Sequence, residues 1–256
     1  MIPDNENVCI VIVTHNNAKT IKRAIDSVTK SIRPANQIVI GDNDSTDDTY
    51  NVLCKLIEAK PITVDGKTGL PSEFDGKFND IPIKIFRKRF STIGHTLNIA
   101  MQMKWQNVTI FGFLDPTSWY APDKIIQSIR AFNINPAVAC VVSDCDNHYL
   151  DGRVERIFRN SFDMQKLLAE FTYDRNFLVR TQVFHKLQSG FNEQMSIRDE
   201  YDLLLRIAKI GLIYHIPAPL HNNMVKKIDD TIQQSIEQCE NTARQTAIQI
   251  WNQSGG

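Results

Sequence analysis

After a polar start the chain enters an unbroken apolar run, Val8-Cys-Ile-Val-Ile-Val13. Continuous, β-branched runs of this kind predict a central parallel strand covered on both faces. The run stops at Thr14-His-Asn-Asn17, and Ile21, Ala24, Ile25 and Val28 then recur at helical spacing, with Lys19, Lys22 and Arg23 on the other face, until Pro34. Gln37-Ile-Val-Ile40 predicts a second buried strand, followed by the polar turn Gly41-Asp-Asn-Asp-Ser-Thr-Asp-Asp48 and a helix carrying Val52, Leu53, Leu56 and Ile57. Strand alternating with helix implies a parallel sheet with right-handed crossovers.

Residues 61–82 hold prolines and glycines with little periodicity and read as a surface insertion. Ile83-Lys-Ile-Phe86 returns to strand, and a helix is expected from about Gly94 to Met103. Val108 to Leu114 is a third core strand, ending abruptly at Asp115-Pro-Thr-Ser118; Pro122 stands near the start of a helix that buries Ile125, Ile126 and Ile129. A strand is predicted from Val138 to Val142, and the hairpin signal Asp151-Gly152 turns Val154 to Phe158 back against it. Leu203, Leu204 and Ile207 place a helix over Glu200 to Ala208 that Gly211 terminates.

Beyond Lys227 a stripe of Ile228, Ile232, Ile236, Cys239, Ala243, Ala247 and Trp251 marks an amphipathic C-terminal helix. The chain therefore divides into an α/β domain, residues 1–227, and a helix with tail, residues 228–256. The stripe packs on its own domain or makes a homodimer contact; its few basic residues argue against an anionic membrane surface.

Composition narrows the class. No run approaches the roughly 18 to 20 apolar residues that a membrane span requires. The opening segment lacks a basic region followed by an apolar stretch, so the cytoplasm is the expected address. Five scattered cysteines without a C-x-x-C pair indicate neither a disulfide framework nor a zinc cluster. With 29 basic and 29 acidic side chains the net charge is zero, which removes the general attraction for nucleic acid.

In open α/β sheets ligands bind beyond the carboxyl ends of the strands. Here those ends deliver Thr14, His15 and Asn16, then Asp42, Asn43 and Asp44, then Asp115. Short acids and amides there suit a base and ribose, and an aspartate can hold a divalent cation against a diphosphate. The bland alternative is that such residues cap helices and form turns, which is the reading for Ser45, Thr46 and Asp47. No glycine-rich phosphate loop follows any predicted strand, against a dinucleotide enzyme or P-loop ATPase. No G-x-S-x-G elbow supports a hydrolase triad.

These segments resemble family 2 glycosyltransferases of GT-A fold. The resemblance is carried by Val11-Ile-Val-Thr-His-Asn-Asn17, by Ile38-Val-Ile-Gly-Asp-Asn-Asp-Ser-Thr-Asp-Asp-Thr49 and by Thr96-Leu-Asn-Ile-Ala100. It continues through Phe113-Leu-Asp-Pro-Thr-Ser-Trp-Tyr-Ala-Pro-Asp-Lys-Ile125 and Phe191-Asn-Glu-Gln-Met-Ser-Ile-Arg-Asp-Glu-Tyr-Asp-Leu-Leu-Leu-Arg206, in the family's order. It implies an enzyme that moves a sugar from a nucleotide-diphosphate donor to an acceptor hydroxyl, on a glycan or another molecule, with inversion. By position, Thr14, His15, Asn16 and Asp42 would line the base and ribose pocket. Asp115 would be the first acid of the D-x-D motif, facing ribose and metal. Glu200 would be the general base, preceded by the acid Asp199, although acids are also favoured at a helix start.

The chain departs from the family after Asp115, where Pro116, Thr117 and Ser118 replace the usual carboxylates. A hydroxyl is a poor ligand for a hard cation such as Mn²⁺ or Mg²⁺. Donor diphosphate and water would complete the metal shell, basic residues such as Lys226 and Lys227 would replace the metal, or the site is degenerate. His221, after Pro217-Ala-Pro-Leu220, is a further candidate near phosphates or metal. Asp144-Cys-Asp146 is a rival D-x-D that reads as a turn cluster, and Arg87 to Arg89 read as a solvated edge. Two other readings stay open: a non-catalytic sugar-nucleotide or glycan-binding module, and a transferase acting on a modified base in DNA.

Overall fold

The computed structural model describes residues 5–58, 60–64, 71–104, 107–159, 161–225 and 230–252. The predicted alternation opens the fold as β1 (Val8–Thr14), α1 (Ile21–Thr29), β2 (Gln37–Asp42) and α2 (Thr49–Ile57). Next come β3 (Lys60–Val64), β4 (Pro71–Phe78), β5 (Ile81–Arg87), α3 (Ile93–Gln102), β6 (Ile110–Leu114), β7 (Trp119–Tyr120) and α4 (Lys124–Ile134). The remainder is β8 (Val138–His148), β9 (Val154–Ile157), α5 (Met164–Ala169), β10 (Leu178–Arg180), α6 (Thr181–Leu187), α7 (Asp199–Ile210), β11 (Leu212–Met224) and α8 (Asp230–Asn252).

All described strands join one sheet in the order β3-β4-β5-β2-β1-β6-β10-β8-β11-β7, with β9 beside β8. The centre is parallel: β1 pairs with β2 on one side and with β6 on the other. The chain thus winds outward in both directions from β1, and a crevice opens at the carboxyl ends of β1 and β6.

Alternation along β1 feeds two cores. Ile10 and Ile12 pack with Ile21, Ile25, Ile125 and Ile129 of α1 and α4 on one face. Cys9 and Val11 pack with Leu97, Tyr201 and Leu204 of α3 and α7 on the other. Each fully buried Ile or Leu side chain contributes about 1.5–3 kcal/mol, so both faces of the sheet are firmly clad.

Three expectations are corrected. The described parts of 61–82 are not a loose insertion: β3 and β4 extend the sheet antiparallel beyond β5. Asn79 and Asp80, at φ 49° and 64°, form the tight turn between β4 and β5, a left-handed pair that suits a two-residue hairpin. Gly76 lets β4 lie against α2, since an added Cβ would stand 2.2 Å from the Ile57 carbonyl oxygen. The strand predicted to end at Val142 runs on to His148, so Asp144 and Asp146 lie within β8 and not in a turn. Asp144 Oδ1 there meets His215 Nε2 at 2.8 Å, and Asp146 is held by Arg156. Arg87 is not merely a solvated edge, because it reaches Asp42 at 3.6 Å and donates to the Ser45 carbonyl at 2.8 Å.

The hairpin of β8 and β9 forms as expected. In α8, Ile236, Ala243 and Ala247 are buried, and Arg198 ties the helix on through Glu240 at 3.0 Å. Ile228, Lys226, Lys227 and the proposed division after residue 227 lie outside the described residues. Among the described residues no helix is long and apolar enough to cross a membrane.

Candidate active site

A cleft of about 680 Å³ sits at the carboxyl ends of β1 and β6, and Thr14, His15, Asp115 and Glu200 all line it. Three chain segments far apart in sequence therefore reach one hollow. Ile93, Ile197, Ile232 and Ile236 form an apolar wall, and Asn147, Asn176 and Asn223 a polar one. A second cavity of about 830 Å³ lies between α3, α6 and α7. Its buried acid, Asp202, is tied to Arg206 at 2.6 Å.

Glu200 opens α7 beside Asp199, and both are buried, at 7% and 1% exposure. Negative charge in the first helical turn faces the positive end of the helix dipole. The main counter-charge comes from Arg175, whose Nη2 donates to Glu200 Oε2 at 2.7 Å and also to Asp199 Oδ1. Arg198 Nη1 stands 3.8 Å from Glu200 Oε1. Burial pushes the Glu200 carboxyl up, Arg175 pulls it down, and the neighbouring Asp199 adds to the rise.

The cleft floor is a chain of hydrogen bonds. Asp115 Oδ1 accepts from the Thr117 backbone at 2.8 Å and from the Thr117 hydroxyl at 2.6 Å. The Asp115 backbone N–H donates to Asn176, which donates to Asp174 at 3.1 Å and to Asn223 at 3.0 Å. Asp174 meets His221 Nε2 at 3.0 Å, His221 Nδ1 lies 3.2 Å from the Ser143 hydroxyl, and Lys124 Nζ donates to Ser143 at 2.8 Å. Burial disfavours the Asp174 charge, but His221, Arg159 and Asn223 hold its carboxyl well below the usual range. Burial lowers His221 against the pull of Asp174.

Not every candidate reaches the cleft. Asp42 is fully buried beneath it, with Oδ1 taking the Ser45 backbone N–H at 3.1 Å and Oδ2 left without a hydrogen-bond partner near Arg87. Burial raises its carboxyl, and the Ser45 hydrogen bonds and Arg87 oppose the rise. Asn16 serves the turn: at φ 56° its Oδ1 accepts from the Thr46 and Asp47 backbones. His15 Nδ1 meets the Asn43 carbonyl at 2.8 Å while Nε2 faces the Asn16 amide, an arrangement satisfied by the Nδ1–H tautomer. Thr14 Oγ1 is buried and unpartnered. Of the turn residues, Asp47 accepts from the Thr49 and Ala18 backbones as a cap does, whereas Ser45 serves Asp42 and Asn16.

Asp174, Arg175 and Asn176 escaped sequence reasoning because they precede a strand instead of following one. β10 runs antiparallel to β6, so its start lies at the carboxyl end of β6. The available signal was three polar residues set directly before Phe177-Leu-Val179.

A divalent cation can be tested against the donors present. Thr117 stands where a second carboxylate would be, but Asp174 arrives from elsewhere. Its oxygen, a His221 nitrogen and the Cys145 sulfur lie within 4.8 Å of one another. Asp174 and His221 supply an oxygen and a nitrogen donor of the kind a Mn²⁺-like ion takes, and Asp115 lines the same cleft without belonging to that cluster.

The fold and the cleft together define the GT-A class, an α/β sheet with its site at the central strand ends. The sequence profile described as Glycosyl transferase family 2 matches residues 9–191, and the chain belongs to that family: it is a glycosyltransferase domain. It is 23% identical over 220 residues to the chondroitin synthase of Pasteurella multocida (strain Pm70), covering 85% of this chain and 20% of that protein. With the chondroitin synthase of Escherichia coli it shares 23% over 233 residues, 87% of this chain and 30% of that one. The chain thus spans a third or less of these relatives. Similar solved structures include S. aureus TarS 1–349 in complex with UDP-GlcNAc, with TM-score 0.65, 13% identity and coverage of 87% and 59%. Another is the mannosyltransferase PcManGT from Pyrobaculum calidifontis in complex with GDP-Man and Mn²⁺, with TM-score 0.68, 16% identity and coverage of 96% and 66%.

Proposed function

We propose that the cleft binds a nucleotide-diphosphate sugar and that Glu200 deprotonates an acceptor hydroxyl in an inverting transfer. The observation that carries this reading is the meeting of Thr14, Asp115 and Glu200 in one hollow. Thr14, His15 and Asn43 hold the base and ribose, and Asp115 faces ribose and diphosphate. The acceptor oxygen attacks the anomeric carbon as its proton passes to the Glu200 carboxylate, and the bond to the diphosphate breaks on the opposite face. The nucleoside diphosphate leaves with the bonding electron pair.

Asp174 and His221 would hold a divalent cation beside the diphosphate that Asp115 faces, and when bound it supplies positive charge to the departing diphosphate. Asp42 acts from below, fixing the β2 loop through Ser45 and Arg87. Asn16 belongs to the turn and not to the donor.

The test is release of UDP from UDP-GlcNAc and of GDP from GDP-mannose, with and without Mn²⁺, for the wild type and Glu200→Gln. Turnover in the wild type that Glu200→Gln lowers by orders of magnitude supports the base; equal turnover removes it. A binding module is the second reading, favoured by Thr117 occupying the Asp115 carboxylate. It predicts nucleotide binding with no release from either donor.

A further inference from the structure

We propose that Arg175 is the positioning residue of the transfer: its guanidinium keeps the Glu200 carboxylate charged and aimed, so that Oε1 meets the acceptor. The inference rests on Glu200 as base. Arg175 reaches α7 from the loop before β10 and bonds both acids of the first turn from one nitrogen. Its side chain is 14% exposed, so these contacts are shielded from water.

Two buried neighbouring carboxylates cannot both stay ionised without a close cation. Arg198 is a weak substitute, 3.8 Å from Oε1 and itself bonded to Glu240. Charged or titratable groups facing Glu200 are therefore Asp199 on its own helix, Arg175 and Asp174 before β10, Arg198 before α7, Glu240 of α8, and Asp115 and His15 across the cleft. Of these, Arg175 alone bonds both carboxylates in these contacts.

Geometry also fixes which oxygen reacts. Arg175 holds Oε2, while Arg198 Nη1 stands 3.8 Å from Oε1. In an inverting transfer the base and the leaving diphosphate lie on opposite faces of the sugar. A guanidinium bonded to the base carboxylate stands on the acceptor face, which assigns Arg175 to the base rather than to donor binding.

The experiment follows Glu200 directly, by ¹³C NMR of full-length protein labelled at glutamate Cδ, with the resonance identified by its loss in Glu200→Gln. Arg175→Gln raises the titration midpoint by about one pH unit or more, a tenfold change in proton affinity, while Arg175→Lys keeps it close to wild type. In release of nucleotide from UDP-GlcNAc or GDP-mannose, Arg175→Lys lowers kcat about tenfold or more with donor KM little changed. Arg175→Gln lowers turnover at pH 7 further than Arg175→Lys does, and by pH 9 regains only the part lost to protonation, staying at or below the Arg175→Lys level.

An unmoved midpoint in Arg175→Gln overturns the proposal, as does a loss confined to donor KM. If Arg175→Gln fails to fold, Arg175→Lys decides: unchanged kcat refutes a positioning role. The titration needs no substrate, so it is separable from the transferase reading, which stands or falls with Glu200→Gln turnover.

Discussion

The backbone N–H of Asp115 donates to Oδ1 of Asn176 at 3.1 Å, tying the end of β6 to the loop before β10. The same amide, 2% exposed, donates to Asp174 and Asn223. One buried side chain thus sets the spacing of two cleft acids. Asn176→Leu keeps the volume but strands these groups, and an unsatisfied buried polar group costs about 1–3 kcal/mol. Urea unfolding is expected to show a loss of that size, and calorimetric titration a weaker affinity for UDP or GDP. Unchanged stability and affinity would show the amide to be incidental.

The pH dependence follows from the pair at the start of α7. Burial raises Glu200, Arg175 opposes and Asp199 assists, leaving the carboxyl pushed up to about 7. A base works only when ionised, so turnover falls about tenfold for each pH unit below that value and levels off above it. A kcat/KM profile from pH 5 to pH 9 checks this. A limb near the ordinary carboxylate range, or none, contradicts it.

Cation binding should depend on a residue outside the D-x-D position. Asp174→Asn keeps the shape and the Asn176 contact but removes the charge beside His221. Mn²⁺ uptake, followed by loss of the free-ion EPR signal, is expected to weaken about tenfold or more. Superimposable titrations for wild type and Asp174→Asn would exclude Asp174 as a ligand.

The edge of the sheet gives a control distant from the cleft. Gly76→Ala drives a Cβ into the Ile57 carbonyl, which as backbone cannot swing aside. Overpacking of this kind costs about 1–3 kcal/mol. Thermal melting should record it while UDP affinity stays at the wild-type level; equal melting temperatures would mean that β4 and α2 separate easily.

The central strands were legible because burial on both faces leaves an unbroken apolar run, as in Val8 to Val13. α7 was legible from Leu203, Leu204 and Ile207, and Asp115 from the abrupt end of β6. What stayed hidden depended on partners distant in sequence. Arg175 sits before a strand whose antiparallel direction turns its start toward the cleft. Asn16 and Asp42 have the chemistry of ligand contacts, yet one is spent on the Thr46 turn and the other is sealed under the floor. The β4–β5 turn at Asn79-Asp80 stayed hidden because the prolines and glycines of 61–82 gave no period-two pattern from which β4 could be read.

The central claim is that Thr14, Asp115 and Glu200 surround one donor sugar. A crystal structure with UDP-GlcNAc or GDP-mannose and Mn²⁺, in the Glu200→Gln variant to preserve the donor, tests it most directly. The account predicts the nucleotide between Thr14 and Asp115, with the anomeric carbon facing residue 200. A nucleotide seated instead in the cavity beside Phe184 and Arg206, or with its sugar turned away from residue 200, would contradict it.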